Sequence, residues 1–239
     1  MEFAKVKPLS RLLAAACALA LSSCATGFDR GELRTKLFAA TGRTTDADIA
    51  KVLALKSQVR RPFSMGVCTD FVASSADREL FASKIAELQT AGIVGKVVFI
   101  SEVSSSEATE SGDSTATKGK ASQLKQVRLA AARRGLDTVL TLHTASDTRD
   151  HDNALAVLNL TIVGGYIAPS SHHDTLVLMS GMLWDVRNEY LYVTAEAEGL
   201  EKQVRPSFLT NEDKGRIRAN TKALTAFCDE FVKRAKTLK

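Results

Sequence analysis

Residues 175–199, TLVLMSGMLWDVRNEYLYVTAEAEG, carry the clearest indication of the fold class. Two runs rich in apolar and β-branched residues, 175–186 and 190–199, flank the turn signal Arg187-Asn188-Glu189. This pattern predicts two antiparallel strands joined by a short turn. A third apolar run, 154–168, precedes them and ends at Pro169-Ser170-Ser171. We therefore expect a meander of three long strands.

On the amino-terminal side of this meander, predicted strands and helices alternate. Hydrophobic periodicity predicts strands at 63–72, 96–103 and 137–144, helices at 76–91 and 119–134, and a last helix at 210–238. Strand–helix–strand units favour parallel neighbours with crossover helices. The expected fold class is α+β, an α/β sandwich. Its order is β-α-β-α-β followed by an antiparallel β-meander and a long C-terminal helix, with one mixed sheet and helices over it.

The start of the chain has the three zones of an export signal. Lys5, Lys7 and Arg11 precede the apolar run Leu12–Leu21, and Leu21-Ser22-Ser23-Cys24 closes it. This layout is typical of a signal peptide, and the run is too short to span a bilayer, which needs about 20 residues. A leucine, two small residues and a cysteine resemble the bacterial lipobox. That resemblance implies cleavage before Cys24 and a lipid on its thiol.

The lipobox resemblance also predicts location and domain organisation. Ala25, where an aspartate would signal inner-membrane retention, implies an outer-membrane lipoprotein that faces the periplasm. Two or three acyl chains anchor a protein stably. We expect a signal peptide at 1–23, a tether with short helices at 24–60 and a single α/β domain at 61–239, held to the membrane through the lipid on Cys24.

Composition sets further limits. Residues 1–23 carry three basic residues and one acidic residue, so their removal lowers the formal net charge from +5 to +3. The basic residues are interleaved with acidic ones, and no basic and aromatic pattern indicates a nucleic-acid surface. Cys68 and Cys228 then remain besides Cys24. In an oxidising periplasm they are a candidate disulfide, but both also fit as small buried apolar side chains.

Two polar clusters invite a metal-site interpretation. One is Ser171-His172-His173-Asp174, and the other contains Asp147, Asp150, His151 and Asp152. Neither has the ligand spacing of a zinc site. Both lie in predicted turns, where such residues serve backbone geometry, and we favour that role.

The other candidates for chemistry are single residues. His143 lies in a predicted strand, and Ser180 lies mid-strand without a nucleophile-elbow motif. The sequence predicts no catalytic, cofactor-binding or metal site, and hence a protein that is not an enzyme.

The strand sequences resemble those of a known family. Residues 160–169, LTIVGGYIAP, followed by HDTLVL at 173–178 and LWDVR at 183–187, are similar to the uncharacterised bacterial rhombotarget lipoproteins. The carboxyl terminus departs from relatives that end in a Gly-Gly motif, an apolar span and a basic tail, so rhomboid-type processing is not implied. The element order is also similar to the curli-channel lipoprotein, the penicillin-binding-protein activator lipoproteins and the amino-terminal domain of TolB. Those are binding and assembly modules, and the analogy is at fold level.

Three functional hypotheses follow. The preferred one is a lipid-anchored interaction or assembly module with an envelope protein partner. Its expected working surfaces are the polar loops 104–118 and 145–153 and the exposed strand edges. The alternatives are an envelope ligand-binding or hydrolytic lipoprotein, which needs a deep pocket, and a subunit of an oligomeric secretion or pore assembly.

Overall fold

The computed structural model of the protein describes residues 27–38, 46–100, 116–152, 171–205 and 212–238. Cys24 and the rest of the signal segment lie outside these ranges. So do the predicted strand 154–168 and residues 104–115 of the predicted loop 104–118.

Five helices and five strands are described. The helices are α1 (Arg30–Phe38), α2 (Asp46–Ala54), α3 (Ser75–Thr90), α4 (Ala116–Arg133) and α5 (Glu212–Ala235). The strands are β1 (Phe63–Thr69), β2 (Val94–Phe99), β3 (Thr138–Asp152), β4 (Ser171–Asp185) and β5 (Leu191–Arg205). This order confirms the predicted β-α-β-α-β unit. It also confirms the two later strands of the predicted meander that the structure describes, β4 and β5.

The strands form one mixed sheet in the order β2-β1-β3-β4-β5. β1 pairs in parallel with β2 and β3, whereas β3–β4 and β4–β5 are antiparallel. Helices pack over the sheet, so the expected α+β class with a long C-terminal helix is confirmed. Helix α3 begins at a capping box, in which the Ser74 side chain accepts a hydrogen bond from the Asp77 backbone N–H.

One face of the sheet carries the main core. Side chains alternate between the two faces of a strand, and on this face β1 presents Phe63, Met65 and Val67 to helices α3 and α5. Phe81 and Ile85 of α3 lie in the same cluster. We call this side the α5 face.

The opposite face is covered by α4 and α1 over different strands. Val127 and Ala131 of α4 pack with Val139 of β3. Leu33 of α1, with 2% of its surface exposed, packs with Leu176 of β4. Helix α1 is thus part of the domain, which differs from the expected tether at 24–60. The physical reason is that one leucine can bury its side chain on the long β3–β4–β5 part of the sheet.

The predicted loop 145–153 is wrong over its described length, because β3 continues to Asp152. Its residues pair in register with β4, from Ala145 opposite Leu178 to Asp152 opposite Ser171. Polar side chains hide this strand from a hydrophobicity pattern, while the partner strand supplies its backbone hydrogen bonds. The predicted turn role of residues 171–174 is wrong for the same reason.

The candidate disulfide between Cys68 and Cys228 is not formed. Both are buried free thiols. Cys68 packs beside Ile100 and Val139 on the α4 side, whereas Cys228 of α5 lies in the main core with Met65. Because the sheet separates the two thiols, they serve as small buried apolar groups, which was the alternative interpretation.

Candidate functional site

The polar clusters singled out in the sequence meet at one end of the sheet. We call it the distal end and define it as residues 148–152 of β3, 171–175 of β4 and 201–205 of β5, with the first two turns of α5. Strand register sets Asp150 opposite His173 and His151 opposite His172. Two clusters that are separate in sequence therefore form one cross-strand site.

Histidines dominate this site. The rings of His151 and His172 stack nearly parallel, 9° apart, with centroids separated by 4.7 Å. On the other face, His173 Nδ1 lies 2.6 Å from Asp150 Oδ1. A carboxylate at that distance orients the imidazole ring and favours a proton on Nδ1.

The α5 face of the distal end buries a polar row. His173 pairs with Gln203 across β4 and β5. The Nε2 atoms of both side chains are buried, with no hydrogen-bond partner among the described residues. Helix α5 approaches closely here because residue 215 is glycine, and a Cβ added there would lie 3.0 Å from Gln203 Nε2.

Next to this row a carboxylate binds two cations of α5. Glu201 is largely buried on β5, with Lys222 Nζ at 2.7 Å and Arg218 Nε at 3.4 Å. A buried carboxylate needs such partners to offset the loss of hydration. These two ion pairs hold the first turns of α5 against the distal end.

The amino-terminal helix is joined to the sheet near this same end. Arg30 donates two hydrogen bonds to the Glu198 carboxylate, at 2.9 and 3.3 Å, and this contact lowers the pKa of Glu198. The guanidinium of Arg149 lies 5.5 Å from the ring centroid of Phe28. Phe28 therefore contacts β3 three residues before the end of that strand.

Two kinds of site are relevant to catalysis here, a metal site and the group Ser180, His143 and Asp70. In the described part of the chain, no group of three or more His, Cys, Asp or Glu side chains could hold a metal ion. His143 lies near a carboxylate, since its Nδ1 is 3.5 Å from Asp70 Oδ2. Ser180 is opposite His143 in register. However, Ser180 is only 3% exposed in a regular strand, which is poor geometry for an attacking hydroxyl.

On each of the strand edges predicted as recognition surfaces, side chains in or beside neighbouring helices bind two backbone carbonyls. On β5, the Thr194 carbonyl accepts from Arg234 and the Leu200 carbonyl from Lys222. On β2, the Gly95 carbonyl accepts from Gln89, and Arg134 donates to the Phe99 carbonyl at 3.4 Å. Long polar side chains on an edge protect it from pairing with another chain.

A shallow cleft lies between α1 and strands β4 and β5. Its volume is about 210 Å³, and Arg34, Leu37, Leu178 and Glu196 contribute to its lining. Ligand pockets for small molecules usually measure about 300–1,000 Å³. This cleft is small for that purpose.

No protein-family model matches the sequence, and no curated protein is similar to it. Among solved structures, the chain is similar to lipoprotein GNA1162 from Neisseria meningitidis, with 19% identity over 65% of this chain and 92% of that chain and a TM-score of 0.32. It is similar to the LpoB C-terminal domain from Salmonella enterica, with 12% identity, 72% and 98% coverage and a TM-score of 0.26. It is also similar to the PelC dodecamer from Paraburkholderia phytofirmans, with 12% identity, 70% and 87% coverage and a TM-score of 0.27.

The expected fold-level similarity to lipoprotein domains is confirmed, since such domains are among these matches. The TM-scores are too low to carry an argument about function. The resemblance to the rhombotarget family stays a prediction.

Sequence reasoning missed the distal end as a single site. It named all three histidines of this end and the acidic residues Asp150, Asp152 and Asp174, but assigned them to two turns. One signal could have found it: residues 147–152 and 171–175 are two uninterrupted polar runs of nearly equal length, and polar or oppositely charged side chains pair favourably across neighbouring strands. Gln203 and Glu201 had no such signal, because their burial depends on where α5 packs.

Proposed function

We propose that this protein is a lipid-anchored envelope lipoprotein that faces the periplasm and acts as an interaction module rather than an enzyme. The observation that carries the proposal is the ordered sequence of basic flank, apolar run and Leu21-Ser22-Ser23-Cys24. In this order the thiol of Cys24 is the acceptor of the lipid. Among the described residues, no helix is long and apolar enough to cross a membrane.

An exposed helix face supports a role in protein contacts. Ile49, Val52 and Leu53 of α2 share one side of the helix and are 50–80% exposed. Apolar residues at this spacing form the contact stripe of helices that bind in a groove. An exposed stripe of this kind fits an envelope protein partner with an apolar groove.

The alternatives have weaker support. Among the described residues, the cleft beside α1 is small for a ligand-binding or hydrolytic role. A role as an oligomer subunit would use the edges of β2 and β5, where helix side chains bind backbone carbonyls.

Membrane fractionation of cells that produce the wild type and Cys24→Ala tests the anchor. We expect the wild type in the outer-membrane fraction and the variant in the soluble periplasmic fraction, with unchanged circular dichroism. A Cys24→Ala variant that still sediments with membranes would refute the anchor.

Photo-crosslinking in intact cells tests the interaction. A crosslinking residue at Leu53 should give a discrete adduct with an envelope protein. The same residue at Glu79, exposed on α3, serves as the matched control. No adduct at Leu53, or equal adducts at both positions, would count against α2 as the contact surface.

A further inference from the structure

The first described residues of the chain lie near the distal end of the sheet. Phe28 packs in the cluster of Leu33 and Leu176 and lies under the Arg149 guanidinium. Only four residue steps separate Phe28 from Cys24. A fully extended chain covers about 3.5 Å per residue, so four steps span at most about 14 Å.

Since Phe28 contacts β3 three residues before its end, a lipid on Cys24 would be attached within this reach of the distal end. We propose that the distal end is a membrane-contact surface, whose partner is the phospholipid headgroup layer that holds the anchor. This inference rests on the proposed lipid anchor at Cys24. It adds an orientation of the domain, in which the end of β3, the start of β4 and the end of β5 face the membrane.

The exposed side chains at this end fit a headgroup layer. Val204 at the end of β5 is 50% exposed, and Ile217 near the start of α5 is 62% exposed. The cationic residues Lys202, Lys214 and Arg216 are exposed around them. Apolar tips flanked by cations are typical of surfaces that rest in the membrane interface.

Charge alone does not orient the domain. Asp150 and Asp213 also lie at this end, and Asp213 accepts a hydrogen bond from Arg216. The short connection from Cys24 to Phe28 therefore fixes the orientation, and the apolar tips add contact area.

The opposite end supplies a matched control. Leu191 begins β5 and is 40% exposed. Thirteen residues separate it from Val204 on the same strand, which corresponds to about 44 Å along the sheet. A label at Leu191 should therefore be out of reach of lipids that a label at Val204 contacts.

The test uses the full lipidated protein in vesicles of phosphatidylethanolamine with a minority of phosphatidylglycerol. A fluorophore is attached to Val204→Cys, Ile217→Cys or Leu191→Cys, and headgroup-labelled quencher lipids are added. Cys68 and Cys228 are buried and should stay unlabelled. We expect quenching at residues 204 and 217 that exceeds quenching at 191 on the order of twofold or more. A Lys202→Cys label provides a second reading of the same surface.

Vesicle flotation of each sample separates the two proposals. If the protein floats and quenching is equal at both ends, or stronger at residue 191, the orientation is wrong and the anchor stands. If the protein does not float, both proposals fail. Circular dichroism of each variant shows that the fold is retained.

Discussion

The Tyr192 hydroxyl donates a 2.7 Å hydrogen bond to Asp185 Oδ2, a carboxylate of a residue with no exposed surface. The same hydroxyl oxygen accepts hydrogen bonds from the backbone N–H groups of Gln58 and Val59, both at 3.2 Å. One tyrosine therefore ties the segment after α2 to the end of the sheet opposite the distal end. Burial raises the pKa of Tyr192, so the hydroxyl stays protonated at neutral pH.

Replacing this tyrosine should loosen that segment. Tyr192→Phe leaves a buried carboxylate oxygen and two backbone N–H groups without their partner, which costs about 1–3 kcal/mol in the free energy of unfolding. Urea denaturation gives the loss. Trypsin should also cleave faster after Arg60. Tyr190→Phe is the control, because it keeps the edge-on ring contact with Tyr192. Equal stability of the two variants would contradict this account.

The contact between β5 and α5 depends on Gly199. A Cβ at this position would lie 2.1 Å from the Ala219 carbonyl oxygen and 2.5 Å from the Ala223 backbone nitrogen. Since backbone atoms cannot rotate away, Gly199→Ala should lower the free energy of unfolding by about 3 kcal/mol or more. In the control Gly95→Ala, the nearest atom is a Pro62 side-chain carbon at 3.5 Å. Thermal denaturation compares the two, and a Gly199→Ala protein as stable as Gly95→Ala would show that α5 packs differently.

Docking of α1 should be measurable through Leu33. Leu33→Ala removes the buried side chain that packs on Leu176 and should destabilise α1 by about 2–4 kcal/mol. Because α1 contacts one part of the sheet only, the loss should appear as faster hydrogen exchange in residues 30–38. Leu53→Ala, at a position 80% exposed on α2, should leave exchange in α1 unchanged. Rapid exchange of α1 in the wild type would restore the tether interpretation.

The buried thiols predict a loss of stability in alkali. Burial raises the pKa of Cys228 from 9.0 to about 12. The folded state thus favours the neutral thiol, and this contribution is fully present below pH 9 and is lost as the pH rises from 9 towards 12. Urea midpoints measured across this range should fall, and Cys228→Ala should reduce the slope. In native protein at pH 8, thiol reagents should react slowly with both Cys68 and Cys228. A disulfide-linked species under non-reducing conditions would contradict the separation of these residues by the sheet.

Removing a side chain that binds the exposed edge of β5 should promote association of the protein with itself. Arg234→Ala frees the Thr194 carbonyl on β5, and we expect concentration-dependent dimers with little change in the free energy of unfolding. Light scattering over a concentration series measures this. Lys233→Ala is the control, because Lys233 is 80% exposed and 4.0 Å from Glu230. Two variants that stay equally monomeric would mean that Arg234 does not protect the edge.

Local sequence was sufficient to predict the elements with a strong hydrophobic pattern. The apolar runs at 175–186 and 190–199, the apolar stripe of α3 and the long helix α5 all followed from local patterns, because buried surfaces set the content and spacing of apolar residues. The lipobox prediction also rests on local sequence, since a signal peptidase reads an unfolded segment.

The secondary structure of the polar segments depends on tertiary contacts. Residues 145–152 and 171–174 are strand because each supplies the other's hydrogen bonds, a pairing that no local pattern contains. Likewise, the sheet that separates Cys68 from Cys228 and the surface that holds Leu33 exist only after distant segments meet. The distal end is therefore a product of register and packing, although most of its histidines and acidic residues were visible in the sequence from the start.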